Sequence, residues 1–304
     1  VLSPREVSEM TPTRVLTPAT RDELVEALAQ ATPRTRLVAG GTDLVRELHR
    51  PGEAPDLLID LTGVSGLATI RLDDGSLHIG ALSTFTGLQE DPLVRRHALC
   101  LSLAAAQVGS VQIRNAGTLG GNVANASPCA DGATALMALD ADVVTVDGAG
   151  EERRRPLREV LLGPGRTALR HDEAIIEYPL PALSADHRSV FAKVGSRTAV
   201  SVARLNAALV VRLDATTGVL AEVRVALGAV GGTAFRVPEL ERELEGRAVD
   251  QGSAQLFADG CMAAVQASIP GRYSLPYKQH AAVGLAYDAW NMLALGPVCE
   301  PAWA

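Results

Sequence analysis

Apolar residues along this chain recur at two spacings, and each spacing predicts an element. Leu24, Ala27 and Leu28 share one helical face behind Thr20-Arg21-Asp22-Glu23, whose order matches a capping box, so a helix is expected over 21–30. Short apolar runs at 36–39 and 57–60 read as buried strands, with a helix over 44–49 between them. This opening part reads as a small helix-plus-strand unit. From Thr69 the spacing drops to two, where 69–72 and 76–79 flank Asp73-Asp74-Gly75, a hairpin signal. Ser83 stands where it can cap a short helix ending at 88, and 93–108 is a long apolar helical stretch. A helix is expected over 133–139, then a strand over 142–146 turned by Gly148-Ala149-Gly150. A strand over 174–178 should end at Pro179 and Pro181, with 180–187 as a linker.

Beyond that linker, 190–194, 200–213 and 221–230 read as strands, although 203–208 also allows a helical reading. Gly231-Gly232 breaks the last strand, and 253–267 and 279–295 are helical in spacing. Strands followed by helices indicate a separate α+β unit. The tail at 296–304 is expected to be peripheral.

One stretch obeys neither spacing. IRNAGTLGGNVANASPCAD, residues 113–131, holds three Gly, three Asn and a Pro. Gly and Asn are poor helix formers and are depleted in strands, so a loop is expected. VAGGTDL at 38–44 has the same character. Paired glycines permit positive φ and close approach of a ligand to the backbone. Consecutive exposed N–H groups form an anion nest. Either segment alone reads as an ordinary tight turn. Two of them, with the Asn cluster behind, point to a pair of loops holding an extended diphosphate. Neither a G-x-G-x-x-G opening a helix after the first strand nor a G-x-x-x-x-G-K-[ST] occurs.

Composition narrows the classes. The 304 residues carry a net charge of −7, with 47% hydrophobic and 21% charged residues. A chain of this length predicts two or three domains. The charge gives no basic footprint for nucleic acid, and 3% aromatics is too few for base-stacking platforms. No apolar run approaches the length of a membrane span; the most apolar, ALCLSLAAA at 98–106, is short. VLSPREVSEM lacks a basic region followed by an apolar core, so no secretory signal is expected. Cys100, Cys129, Cys261 and Cys299 are far apart in sequence, as reduced thiols of a cytoplasmic protein would be, and form no metal or iron–sulfur spacing.

VAGGTDL at 38–44 and QIRNAGTLGGNVANASPCAD at 112–131 resemble the two flavin-binding signatures of the FAD-binding (medium) subunit of molybdenum hydroxylases, the xanthine dehydrogenase and carbon monoxide dehydrogenase type. Leu58-Ile59-Asp60-Leu61, IGALST at 79–84, residues 136–140, FAKVGSR at 191–197 and SLPYK at 274–278 follow in the family's order, so the resemblance spans roughly 15–295. It implies an FAD-binding PCMH-type α+β fold. Two α+β subdomains, 1–62 and 63–181, would be followed by a smaller C-terminal α+β domain at 188–295 and a tail at 296–304. It further implies that Ala39, Gly40, Gly41, Thr42 and Asp43 face Thr118, Leu119, Gly120, Gly121 and Asn122 across the FAD pyrophosphate, flanked by Leu37, Val38, Leu44 and Gly117. Asn125 and Ser127 would line the same cleft, and Asp131 would contact sugar or ribityl hydroxyls. Thr167, Leu169, Lys193 and Arg197 would lie near the ring system or the path to it. GPGRT at 163–167 lacks the aromatic that the family often shows, so aliphatic residues such as Leu162 and Leu169 would pack the ring.

Several of these residues also have plainer readings. Asp131 can be a helix N-cap, Lys193 an edge-strand solubility residue, and Arg114 the partner of a phosphate or of a neighbouring acid, structural pairing being favoured. The six His are isolated in sequence, and no residue of this chain is expected to be catalytic. The function implied is electron transfer. Electrons from a [2Fe–2S] small subunit would pass through FAD to NAD+, oxygen or a quinone, while a molybdopterin-containing large subunit acts on the organic substrate. The rivals are a stand-alone FAD-dependent oxidoreductase of the same fold and a scaffold with a degenerate flavin site. No nucleic-acid partner and no membrane insertion are expected.

Overall fold

The computed structural model describes residues 13–49 and 54–295. The expected peripheral tail, Cys299 and the segment VLSPREVSEM lie outside the described residues. The architecture is α+β, built on three main sheets. In the first, β1 (Arg14–Leu16) and β2 (Arg36–Val38) both pair in parallel with a central β3 (Leu57–Asp60). Helices α1 (Arg21–Leu28) and α2 (Leu44–Leu48) make the crossovers. Thr20 Oγ1 accepts the Glu23 amide at 3.2 Å, while Glu23 reaches back to the Ala19 amide at 2.7 Å, one residue before the cap. This is the reciprocal pairing of the capping box, displaced by one position.

The second sheet is antiparallel, in the order β4 (Ile70–Asp73), β5 (Ser76–Gly80), β10 (Glu173–Pro181), β6 (Asp142–Asp147), β7 (Glu152–Pro156). Asp74 and Gly75 turn the β4–β5 hairpin with φ of 45° and 74°, as a type I′ turn requires. Strand β10 runs through Pro179 and ends at Pro181. β6 pairs with it only through Glu177, so that side of β10 has no ladder for Pro179 and Pro181 to interrupt.

Between β5 and β6 the chain makes short helices: α3 (Phe85–Glu90), α4 (Pro92–His97), α5 (Leu99–Ala106), α6 (Val111–Ala116), α7 (Leu119–Ala124) and α8 (Asp131–Ala138). Thr84, not Ser83, caps α3. The apolar stretch expected as one helix is broken at Ala98, whose φ of −153° is not helical. A short helix α9 (Leu157–Val160) and the two-stranded ribbon β8 (Leu161–Gly163) and β9 (Arg166–Thr167) complete this part.

The third sheet has the order β11 (His187–Gly195), β12 (Ala203–Leu213), β13 (Leu220–Gly228), β14 (Phe235–Arg236), all antiparallel. The helical reading of 203–208 is overturned, because that segment pairs on both sides. Its near-continuous apolar run follows from burial on both faces. Phe191, Ala208, Val210 and Ala226 join the core around α5 and α8. Val190, Ala207, Leu209 and Val225 face a separate core under α10 (Pro238–Leu244), α11 (Gln251–Ser268) and α12 (Leu275–Leu295). The alternation is the period of two expected of a strand. No helix among the described residues is long and apolar enough to cross a membrane.

Candidate functional site

The segment expected as a structureless loop is two short helices. Ser110 caps α6 and Gly117 ends it; Thr118 then caps α7, its Oγ1 accepting the Gly121 amide at 3.1 Å. Gly117, Gly120 and Gly121 all have negative φ, so positive φ is not what they supply. Gly120 supplies proximity: its amide donates to Ala81 O at 2.8 Å, and a Cβ there would lie 2.9 Å from the Ala81 methyl carbon. With Leu119 N donating to Ser83 O and Asn122 N to Thr118 O, the first-turn amides of α7 are occupied within the protein.

The other glycine segment is open. The amides of Gly40, Gly41, Thr42, Asp43 and Leu44 donate to no acceptor among the described residues. Gly41 alone in this segment has positive φ, 66°. Gly40 allows contact between the two segments: a Cβ on it would fall 1.7 Å from Ala116 O. Asn125 Nδ2 donates to Asp43 Oδ2 at 3.3 Å and fastens them further along.

These segments form the two walls of a cleft of about 290 Å³. Leu37, Ala39, Gly40, Gly41, Thr42, Asp43, Leu44, Gly117, Thr118, Gly120, Gly121, Asn122, Asn125 and Leu169 line it, as the sequence reading expected. Sequence reasoning missed the apolar lining from Leu61, Ala81, Leu82, Phe85, Val108, Ile113, Ala124 and Ile175, and also Glu47 and Glu173. Two of these carried a signal. Phe85 is one of four Phe, and Glu173 is an acid opening the mainly apolar run EAII.

Glu173 is 3% exposed and fully engaged. Its carboxylate accepts Thr145 Oγ1 at 2.5 Å, Arg155 Nη2, and the Arg170 amide at 3.1 Å. Arg170 also bonds Asp147 and Asp172, at 2.8 and 2.9 Å. It holds both carboxyls below the usual carboxylate range. A lowered native pKa contributes stability above the unfolded value and loses it as pH falls through the native value. Arg170→Met is therefore expected to raise the pH of acid unfolding, followed by circular dichroism, while leaving stability less changed at the acid end.

Eight expected site residues lie outside the lining: Val38, Leu119, Ser127, Asp131, Leu162, Thr167, Lys193 and Arg197. Leu119 is core, and Leu162 is exposed. Ser127 Oγ accepts the Cys129 amide, and Arg197 donates to Val200 O. Asp131 is not an N-cap, since Ala130 holds that position with no side-chain bond. Lys193 is not a solubility residue: its Nζ sits 2.6 Å from Asp131 Oδ2, with both side chains nearly buried, and also donates to Gln107 O. Asn206 Nδ2 donates to the other Asp131 oxygen at 2.6 Å. Burial pushes the Asp131 carboxyl up, and Lys193 and then Asn206 pull it back. Arg114 pairs with no acid among the described residues; it donates to the carbonyls of Val108 and Gly109.

The residues present fit a bound dinucleotide. An open row of amides suits phosphate oxygens. Asn122 Oδ1 is a buried acceptor with no donor among the described residues, as a site awaiting a hydroxyl would have.

Known proteins are similar to this chain in sequence and fold. The family model "FAD binding domain in molybdopterin dehydrogenase" matches residues 9–183, and "CO dehydrogenase flavoprotein C-terminal domain" matches 191–293. The chain is 37% identical over 213 residues to the nicotinate dehydrogenase FAD-subunit of Eubacterium barkeri, covering 69% of this chain and 71% of that one. It is 31% identical to the putative xanthine dehydrogenase FAD-binding subunit of Escherichia coli K12, covering 86% and 89%. A chain of the carbon monoxide dehydrogenase of Hydrogenophaga pseudoflava superposes with a TM-score of 0.84 at 28% identity, covering 93% and 97%.

Proposed function

This chain belongs to the family of FAD-binding domains in molybdopterin dehydrogenases, as a medium, FAD-binding subunit of an oxidoreductase, and on that premise we propose that it carries electrons within a heteromeric complex. A [2Fe–2S] small subunit delivers them, a molybdopterin-containing large subunit oxidises the organic substrate, and NAD+, oxygen or a quinone takes them away. When bound, FAD supplies the hydride and single-electron chemistry that such a relay needs.

This chain's own residues bind and orient. The observation that carries the reading is the row of open amides at 40–44, which faces Thr118, Gly121 and Asn122 across one cleft. The row holds the pyrophosphate, and the Thr118 hydroxyl, already an acceptor for Gly121, keeps its proton to donate. Asn125 ties down the Asp43 carboxylate beside the nest. Apolar lining from Phe85, Ile113, Leu169 and Ile175 excludes water from the ring end. Asp131 and Lys193, bonded to each other, with Lys193 also bonded to Gln107 O, brace the cleft from behind.

The domain limits 1–62, 63–181 and 188–295 belong to the same reading, supported by the three sheets. Free buried thiols at Cys100 and Cys261 support a cytoplasmic setting.

Purification from the source cells tests the proposal. The expected product is a yellow complex containing molybdenum, iron and one flavin per copy of this chain. A yellow chain that purifies alone and oxidises a small substrate would sink the heteromeric reading, and a colourless one would leave a scaffold.

A further inference from the structure

Four exposed apolar side chains of the C-terminal domain lie on two neighbouring segments, 200–202 and 273–277. Tyr273 is 99% exposed, Val202 73%, Val200 52% and Tyr277 48%. Val202 and Arg204 lie on the same exposed face at the start of β12. The Arg204 guanidinium stands 5.9 Å from the centre of the Tyr277 ring, and Tyr273 precedes the helix that carries Tyr277. Arg272 and Arg204 both lie close enough to Lys278 to oppose its charge. Val202, Arg204 and Tyr277 therefore form one surface, and Arg272 and Tyr273 lead into the helix that carries Tyr277.

Its charge runs against that of the chain. Residues 187–213 and 270–287 contain no Asp or Glu, although the net charge of the chain is −7. Among the described residues, Arg197, Arg204, Arg272 and Lys278 pair with no carboxylate. The apolar members are held in place as well. Val200 has φ of 51°, unfavourable for a β-branched residue, and Arg197 Nη2 fixes its carbonyl at 2.7 Å. Lys278 also ties this face to the segment between α7 and α8: its Nζ bonds Ala229 O, and Ala229 N donates to Pro128 O.

We propose that Tyr273, Tyr277, Val202, Arg204 and Arg272 form the docking surface for a companion subunit that presents carboxylates around an apolar depression. Tyr and Arg dominate the energetics of protein interfaces, and a tyrosine standing clear of its own surface is a knob for a partner's hole. Arg204 and Arg272, which meet no carboxylate among the described residues, complement an acidic face and speed its approach. The inference rests on the heteromeric reading above.

Two measurements on the intact complex and on the separated chain test it. Hydroxyl-radical footprinting should show Tyr273 strongly protected in the complex and reactive in the separated chain. The double variant Arg204→Glu/Arg272→Glu should keep its flavin and its melting temperature. It should rebind purified companion subunits on the order of 30-fold more weakly, with a reduced salt dependence. If companions co-purify but Tyr273 stays as reactive as in the separated chain, this surface is not the interface, while the heteromeric reading stands. Protection by a second copy of this chain alone, or loss of flavin from the double variant, overturns it too. If no companion co-purifies, both readings fail together.

Discussion

Gly40→Ala is expected to yield a protein that either fails to accumulate in soluble form or is purified without flavin. The added Cβ would lie 1.7 Å from Ala116 O and 2.5 Å from its carbonyl carbon, where ordinary non-bonded contact needs about 3.5 Å. The clash is between two backbones, so no side-chain rotation relieves it. Neither backbone is free to retreat. Val38 O accepts the Leu61 amide at 2.8 Å, which holds the exit of β2, and Gly117 O accepts the Phe85 amide at 3.1 Å, which holds the end of α6. The two walls must part, and the Asn125–Asp43 bond parts with them. Overpacking of this kind costs about 1–3 kcal/mol where the site can relax, and more where it cannot. A loss above about 4 kcal/mol is expected here, enough to unfold many domains. Gly41→Ala is the control. Its Cβ meets only side chains, Val45 at 3.1 Å and Val38 at 4.0 Å, and its φ of 66° adds strain of about 1 kcal/mol. That variant should fold and stay yellow. Normal melting and full flavin content in Gly40→Ala would refute the role given to this contact.

The contrast between these two glycines shows what the sequence could and could not reveal. Local chemistry was legible: the Asp74-Gly75 turn, the Thr20 cap and the long C-terminal helices formed where propensity and spacing put them. Which glycine does what was not legible, because the need for Gly40 comes from Ala116, a residue distant in sequence that only folding brings near. The same holds for the glycines of α7. Their composition argued for a loop, and Thr118 capping with the bonds of Leu119 and Gly120 to Ser83 O and Ala81 O, just beyond β5, outweighed that propensity. The cleft's apolar lining was equally hidden. Ala81, Val108 and Ile175 look like any core residue until three elements enclose a space between them.

Asp131→Ala is the second large effect, and it decides what that carboxylate is for. In the native protein it receives Lys193 Nζ at 2.6 Å and Asn206 Nδ2 at 2.6 Å, and Thr134 Oγ1 in turn donates to Asn206 Oδ1 at 3.0 Å. The side chains of the ion pair are 7% and 6% exposed. Removing the acid strands a buried ammonium with only the Gln107 carbonyl, a loss of about 3–5 kcal/mol. Lys193→Met is the milder half, because a carboxyl that burial already pushes upward can take a proton instead of remaining a bare charge. A raised native pKa favours the folded state below the unfolded value and loses that advantage as pH rises through the native value. Lys193→Met should therefore be nearest to wild type in acid and should weaken toward neutral pH. The double variant Asp131→Leu/Lys193→Met should recover most of the stability, since neither charge is left alone, and the double-mutant cycle reads the coupling directly. Flavin content then separates bracing from binding. A double variant that melts normally and stays yellow assigns the pair to holding β11 and β12 against α8. One that melts normally but is colourless means that the Asp131 carboxylate or the Lys193 ammonium contacts the cofactor, which the present geometry, with both groups spent on each other, argues against.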